Sequence, residues 1–415
     1  MRVKPSKKTS PLLPIFFIVA VDVLGLTLII PFLPFYAESF GATPWVVGLL
    51  ISCYAVCQLI AAPILGEWSD RYGRRRVLIL SQIGTFIGFL ILAQAKVLWV
   101  VFLSRMIDGA TAGNLSVAQA YIADVTPQEK RAKAFGIIGV AFGLGFLIGP
   151  AISGVLAGYN YHYPIYFAAL LSLTSICLTY FTLPEPDFHV RAKEVQKTSI
   201  FAWSKYTQQF KRKNVGTILY LFLCFHMAFA LFFSGFPLFL ERRFFYHGVP
   251  FGPKEVGYLY AYSGLMGAII QGGMIGKLVA RFGEINIVVA SFVLLTLGYV
   301  ALGASYQLPL LLISGTLSAW GHGMVRPALT ALLSRQVSST EQGTVLGLSQ
   351  SLNSISQIVA PVVGGFLIGH GYLTVWGMLS GLISFVGLSL VWKAKREGRY
   401  LGGFDHRGET QSPSP

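Results

Sequence analysis

The sequence predicts an all-α membrane protein, with twelve transmembrane helices in two pseudo-symmetric six-helix bundles. Three observations predict it. Of 415 residues, 54% are hydrophobic and only 12% are charged, whereas a water-soluble domain carries about a quarter charged residues. Apolar runs of the roughly 20 residues needed to cross a bilayer recur twelve times. The second six runs repeat features of the first six at a constant spacing. The mean hydropathy of +0.63 agrees. Only short loops remain, which excludes a soluble enzyme, a nucleic-acid binder and a receptor with a large ectodomain.

The first six runs fall near residues 12–37, 45–66, 77–95, 98–123, 133–158 and 164–183. A polar stretch rich in Lys and Arg follows, then six more runs near 215–240, 255–279, 285–304, 308–334, 343–369 and 372–392. The expected organisation is an N-terminal bundle over 1–184, a cytoplasmic linker over 185–213, a C-terminal bundle over 214–394 and a tail over 395–415. The first run follows a basic stretch, as a signal peptide does. It is too long for a signal core, however, and contains Asp22, Pro31 and Pro34. It is therefore read as the first span.

The net charge of +15 reflects topology. With both termini cytoplasmic, inner segments hold 26 of the 32 Lys and Arg residues. The outer loops hold only Lys96, Arg242, Arg243 and Lys254, and Arg105 and Arg326 lie within runs. Positive residues accumulate on the cytoplasmic side, so this asymmetry fixes the orientation. The four cysteines all lie in apolar segments, where a thiol is normally a small apolar filler.

Gly66, Asp70, Arg71, Gly73 and Arg74 follow the second run, and Gly276, Ala280, Arg281, Gly283 and Glu284 follow the eighth, shifted by 210. Gly149-Pro150 and Gly154 in the fifth run correspond to Ala360-Pro361 and Gly364-Gly365 in the eleventh, shifted by 211. Several matches at one offset indicate a duplication, the pattern of a two-bundle secondary transporter.

The segment from Gly66 to Arg76 resembles the loop 2–3 signature of the major facilitator superfamily, G-x-x-x-D-R-x-G-R-R. Its glycines permit a tight turn. Asp70 can face the positive N-terminal end of a neighbouring helix, for which helix 11 near Glu341 is nominated, and Arg74 can pair with Asp124. Together they would form a cytoplasmic gate; otherwise the segment is only a positive-inside loop. Gly145-Phe-Leu-Ile-Gly149-Pro150, followed by Gly154, resembles the antiporter signature of drug–proton exchangers in that superfamily. The glycines also suit plain close packing of helices.

Asp22 and Asp108 are the only acids well inside apolar runs. An ionised carboxylate near mid-bilayer costs several kcal/mol, so Asp22 is expected to hold a proton until water or a cation reaches it; an interfacial cap is the alternative. Arg105 lies one turn from Asp108, so the two can pair locally. Superfamily antiporters have an Arg here that is implicated in proton coupling, and a structural lock is the other reading. Gln58, Gln119, His226, Gln271, His322 and Arg326 are further polar residues within the runs. They are candidates for a substrate cavity or for helix-to-helix hydrogen bonds.

The resemblance extends further in helix 1 (Asp22-Val-Leu-Gly25, Pro31-Phe-Leu-Pro34), in Ala120-Tyr121-Ile-Ala-Asp124-Val-Thr126 and in Leu333-Ser334-Arg335-Gln336-Val337 with Gln342-Gly343. These are similar to tetracycline–proton antiporters. Those pumps carry acids within helices 3 and 9 and a histidine in helix 8, where this chain has Gly88, Leu295 and Gly267. The resemblance implies a proton-coupled exporter of small amphipathic compounds or drugs, working by alternating access as a monomer in the bacterial inner membrane. Alternatives are export of a natural metabolite such as a siderophore, proton symport, or a receptor on a transporter fold. No phosphate loop of the form G-x-x-x-x-G-K-[ST], nucleophile elbow or His/Cys metal cluster occurs in the sequence. Neither cofactor nor metal is therefore expected.

Overall fold

A computed structural model describes residues 12–126, 131–185, 208–337 and 341–397. In chain order the helices are α1 (Leu12–Ile29), α2 (Leu33–Glu38), α3 (Pro44–Tyr72), α4 (Arg74–Ala93), α5 (Leu98–Ala110), α6 (Asn114–Val125), α7 (Arg131–Tyr159) and α8 (His162–Thr182). Then come α9 (Lys213–Arg243), a two-stranded hairpin of β1 (Phe245–Tyr246) and β2 (Val249–Pro250), and α10 (Pro253–Ile269). A π-helical turn, Ile270–Met274, joins α10 to α11 (Ile275–Phe282). The chain continues as α12 (Glu284–Gly303), α13 (Leu308–Arg335), α14 (Gln342–Gly369) and α15 (Leu373–Arg396).

Ten segments among the described residues are long and apolar enough to cross a membrane. The other two expected spans are interrupted. The first breaks after Ile29, where Pro31 removes a backbone donor. The fourth, expected as one helix over 98–123, is instead α5 and α6 separated by Thr111–Gly113. Backbone groups freed at membrane depth need internal partners, and Ser81 of α4 supplies them. Its hydroxyl donates to the Thr111 carbonyl and accepts the Gly113 N–H at 3.0 Å.

Contacts divide the chain into two compact units. One comprises Met1–Ala42, Cys53–Lys197 and Gly252–Ala261; the other comprises Thr43–Ser52, Thr198–Phe251 and Tyr262–Pro415. In the first unit α1 packs against α7 and α8, and α4 packs against α5 and α8. Ile15, Ile18, Leu78, Val117, Tyr121 and Ile122 form part of its core. In the second unit α12 packs against α13 and α15, and α9 packs against α14 and α15. The buried Trp376 there donates to the Leu231 carbonyl at 3.0 Å.

Glycine permits the close approach of α7 to α1. A Cβ on Gly145 would lie 2.6 Å from the Val23 side chain, and one on Gly149 would collide with Thr27. Thr27 uses the proximity, donating its hydroxyl to the Gly145 carbonyl at 2.9 Å. The helix that carries Asp22 is thus held by the Gly145–Pro150 segment.

Candidate site for protons and substrate

Asp22 sits on the middle of α1, half-buried, and is hydrogen-bonded by a neutral side chain. Gln82 of α4 donates from Nε2 to Ser175 Oγ at 2.7 Å and reaches Asp22 Oδ2 at 3.4 Å. Ser172 on α8 donates to the Gln82 backbone carbonyl at 3.2 Å, tying the two helices together. A cavity of about 120 Å³ in the first unit is lined by Asp22, Tyr54, Gln58, Thr85, Phe89, Asp108 and Asn114, among others. Such a volume accommodates a few waters, at about 30 Å³ each. The buried Oε1 of Gln82 and Oδ1 of Asn114 have no hydrogen-bond partner among the described residues.

Arg105 and Asp108 are both buried on α5 and form an ion pair at 3.1 Å. The guanidinium also lies 5.7 Å from the Phe89 ring centre. Gly88 makes room for this pair: a Cβ there would lie 3.1 Å from Asp108 Cβ and 3.2 Å from the Ser104 carbonyl. Asp108 therefore supplies an intramolecular counter-charge to Arg105, while Gln82, which hydrogen-bonds Asp22, is neutral. Gln58 donates to the Tyr54 hydroxyl at 3.4 Å, and Gln119 on α6 is exposed.

At the other end of α3, Arg74 binds two acids. Nη2 lies 2.5 Å from Asp70 Oδ1 and Nε lies 3.0 Å from Asp124 Oδ2. Nη1 also donates to Ser69 Oγ at 2.5 Å, and Ser69 in turn donates to the Gly66 carbonyl. Arg71 is exposed and lies 3.9 Å from Glu67. Gly73 has φ +101°, a conformation for which glycine is favoured. Having no side chain, it leaves the start of α4 uncapped, and Glu185 accepts the Arg75 N–H at 3.3 Å instead.

The second unit repeats the bridge with its charges reversed. Glu284, which stands 210 residues after Arg74, pairs with Arg335 at 2.5 Å. The repeat offset was the sequence signal for this pair, since Arg335 stands 211 residues after Asp124. Gln82, Ser175 and Asn114 carried no such signal.

Deeper in the second unit, His322 on α13 has its Nε2 2.6 Å from the Tyr299 hydroxyl and its ring edge-on to Phe229 at 4.7 Å. His226 on α9 is buried and stacks with Phe222 at 5.8 Å. Arg326, one turn beyond His322, is exposed. Gln271 falls in the π-helical turn and is exposed. Gly154, the last residue of the fifth-helix motif, packs within the first unit against α10, where its Cβ would lie 2.9 Å from the Pro253 carbonyl. All four cysteines are free, and no group of His, Cys, Asp and Glu that could hold a metal exists among the described residues.

A family model described as Major Facilitator Superfamily matches residues 15–302 and 251–413. The class C tetracycline resistance protein of Escherichia coli is 31% identical over 370 residues, covering 86% of this chain and 89% of that protein. Multidrug resistance protein 2 of Bacillus subtilis (strain 168) is 31% identical over 389 residues, covering 91% of this chain and 93% of that protein. Among solved structures, the human organic anion transporter MFSD10 shares the fold with a TM-score of 0.70 at 22% identity, covering 93% of this chain and 100% of that one.

Proposed function

Because the chain belongs to the Major Facilitator Superfamily, and is thus a membrane transporter and not an enzyme, we propose that it is a proton-coupled exporter of small amphipathic compounds or drugs. The direction of transport rests on the relatives, which are named for resistance to tetracycline and to multiple drugs. The proton step rests on one observation above all: Asp22 stands inside the first unit beside a cavity, among neutral hydrogen-bond partners.

A carboxylate so placed is neutral when protonated and leaves an unbalanced negative charge when not. Charge at membrane depth costs several kcal/mol, so the protonation state of Asp22 biases which opening of an alternating-access cycle is favoured. Asp22 takes a proton from the outer side as substrate leaves there, and releases it to the cytoplasm when the next substrate binds from that side. Arg105 tunes this step, its charge balanced by Asp108. On the cytoplasmic side Arg74, Asp70 and Asp124 act as the gate. Charge-assisted contacts of about 1 kcal/mol each are enough to shift a two-state population severalfold. The protein works as a monomer in the cytoplasmic membrane with both termini inside, a reading supported by the distribution of Lys and Arg.

The test uses purified protein in liposomes with an imposed pH gradient and tetracycline, ethidium and norfloxacin as probes. Asp22→Asn should abolish gradient-driven accumulation of any transported probe while leaving the protein folded. Full gradient-driven transport by this variant removes Asp22 from the mechanism.

A further inference from the structure

The second unit distributes charge differently from the first. Among its described residues the acids Glu241, Glu284, Glu341 and Glu397 all stand at or near helix ends. Deep within its helices stand bases instead, His226 on α9 with His322 and Arg326 on α13. Arg326 is nine residues from the cytoplasmic end of α13, about 13 Å at 1.5 Å per residue.

Arg326 offers five N–H donors. No carboxylate, carbonyl or aromatic ring among the described residues engages its guanidinium, and its positive charge acts on His226, another base. An arginine at membrane depth is costly unless paired or in a water-filled cavity, and such a residue marks a pathway for substrate or ion. The first unit shows the contrast, since Arg105 there has Asp108 at 3.1 Å.

The surroundings suit a molecule with an acidic head and an apolar body. His322 shares a face with Arg326, being four residues away on one helix. The Tyr299 hydroxyl fixes His322 through Nε2. Beside His322 runs a ladder of phenyl rings on α9: Phe225, Phe229 and Phe233 follow at four-residue steps, with ring centres 6.2 Å and 5.2 Å apart. Phe229 and Phe225 lie 4.7 Å and 5.9 Å from the His322 ring.

We propose that Arg326, with His322 and His226 beside it, recognises the acidic group of an amphipathic organic anion, whose apolar part lies along the phenylalanine ladder. The role as a substrate site rests on the exporter reading, but binding does not require the proton step. The experiment therefore reads binding without a gradient, so that it stands or falls apart from coupling at Asp22.

The full-length protein is purified in detergent and titrated with two probes, dansylundecanoic acid and its uncharged methyl ester, read by energy transfer from tryptophan. The wild type should bind the acid about tenfold or more tightly than the ester, the size of one charge-assisted contact. Arg326→Gln should erase that preference without weakening ester binding, and Arg326→Lys should retain part of it. Equal binding of acid and ester, absence of saturable acid binding, or an unchanged preference in both variants overturns the proposal. A lipid phosphate is the same chemistry from another source. If mass spectrometry finds phosphatidylglycerol retained by the wild type and lost in R326Q, while the acid preference is unchanged, Arg326 is a headgroup anchor and the substrate role fails.

Discussion

Asp22, Arg105 and Asp108 are three ionisable groups of the first unit with different electrical surroundings. Arg105 and Asp108 neutralise each other at 3.1 Å, whereas Asp22 has an amide and a hydroxyl for company. All three were legible in the sequence because charge interrupting an apolar run is rare. The residues that position Asp22 were not, since Gln82 and Ser175 belong to types that occur throughout transmembrane helices for ordinary hydrogen bonding. The cluster around Arg74 yields a prediction at this same scale. Arg74 and Asp124 are each about one-eighth exposed, so a double-mutant cycle with Arg74→Ala and Asp124→Asn should give a coupling of about 1–3 kcal/mol in unfolding. The charge-reversed pair should behave otherwise, because the Arg335 side chain is 51% exposed. Its coupling with Glu284 should stay below about 1 kcal/mol. Equal couplings for the two pairs would show that burial does not govern their strength.

Among elements, α7 and the α5–α6 pair teach most about what spacing can reveal. The glycines of α7 were visible, but not which of them meet a neighbour. Gly149 abuts Thr27, whereas a Cβ on Gly143 would touch nothing within 4 Å. Gly149→Ala should therefore destabilise the protein by about 1–3 kcal/mol through overpacking and slow transport. Gly143→Ala should be neutral or stabilising by up to about 1 kcal/mol, since alanine is the better helix former. Thermal unfolding of the two variants in one detergent separates these outcomes, and a reversed order contradicts the packing account. The break in the fourth span was hidden for a different reason. Hydropathy averages over the run 98–123, while the interruption depends on a hydroxyl from another helix, Ser81, meeting the freed backbone. Local sequence carries no trace of that partner.

For the whole molecule, the twelve-span all-α class followed from hydropathy and from the 210-residue repeat, both of which sum over many residues and tolerate local exceptions. The same duplication shows in the structure as one bridge built twice with opposite polarity, Arg74–Asp124 and Glu284–Arg335. The chemistry of the interior was not duplicated. Carboxylates lie within the helices of the first unit and bases within those of the second. That division leads to an expectation about salt and pH. Export should continue at high ionic strength, because buried charges are screened far less than surface ones, yet should respond steeply to the pH gradient. Transport rates in liposomes at low and high potassium chloride, with the gradient held constant, measure this. A collapse at high salt would place the essential charges at the surface.

The account turns on Asp22 exchanging a proton when substrate binds, and calorimetry of binding reads that exchange directly. Purified protein is titrated with a transported probe in two buffers of different ionisation enthalpy, so that the dependence of the heat on the buffer counts protons released. The wild type should release a proton on binding, and Asp22→Asn should bind the probe with no buffer dependence. The same proton release from the variant as from the wild type would contradict the account.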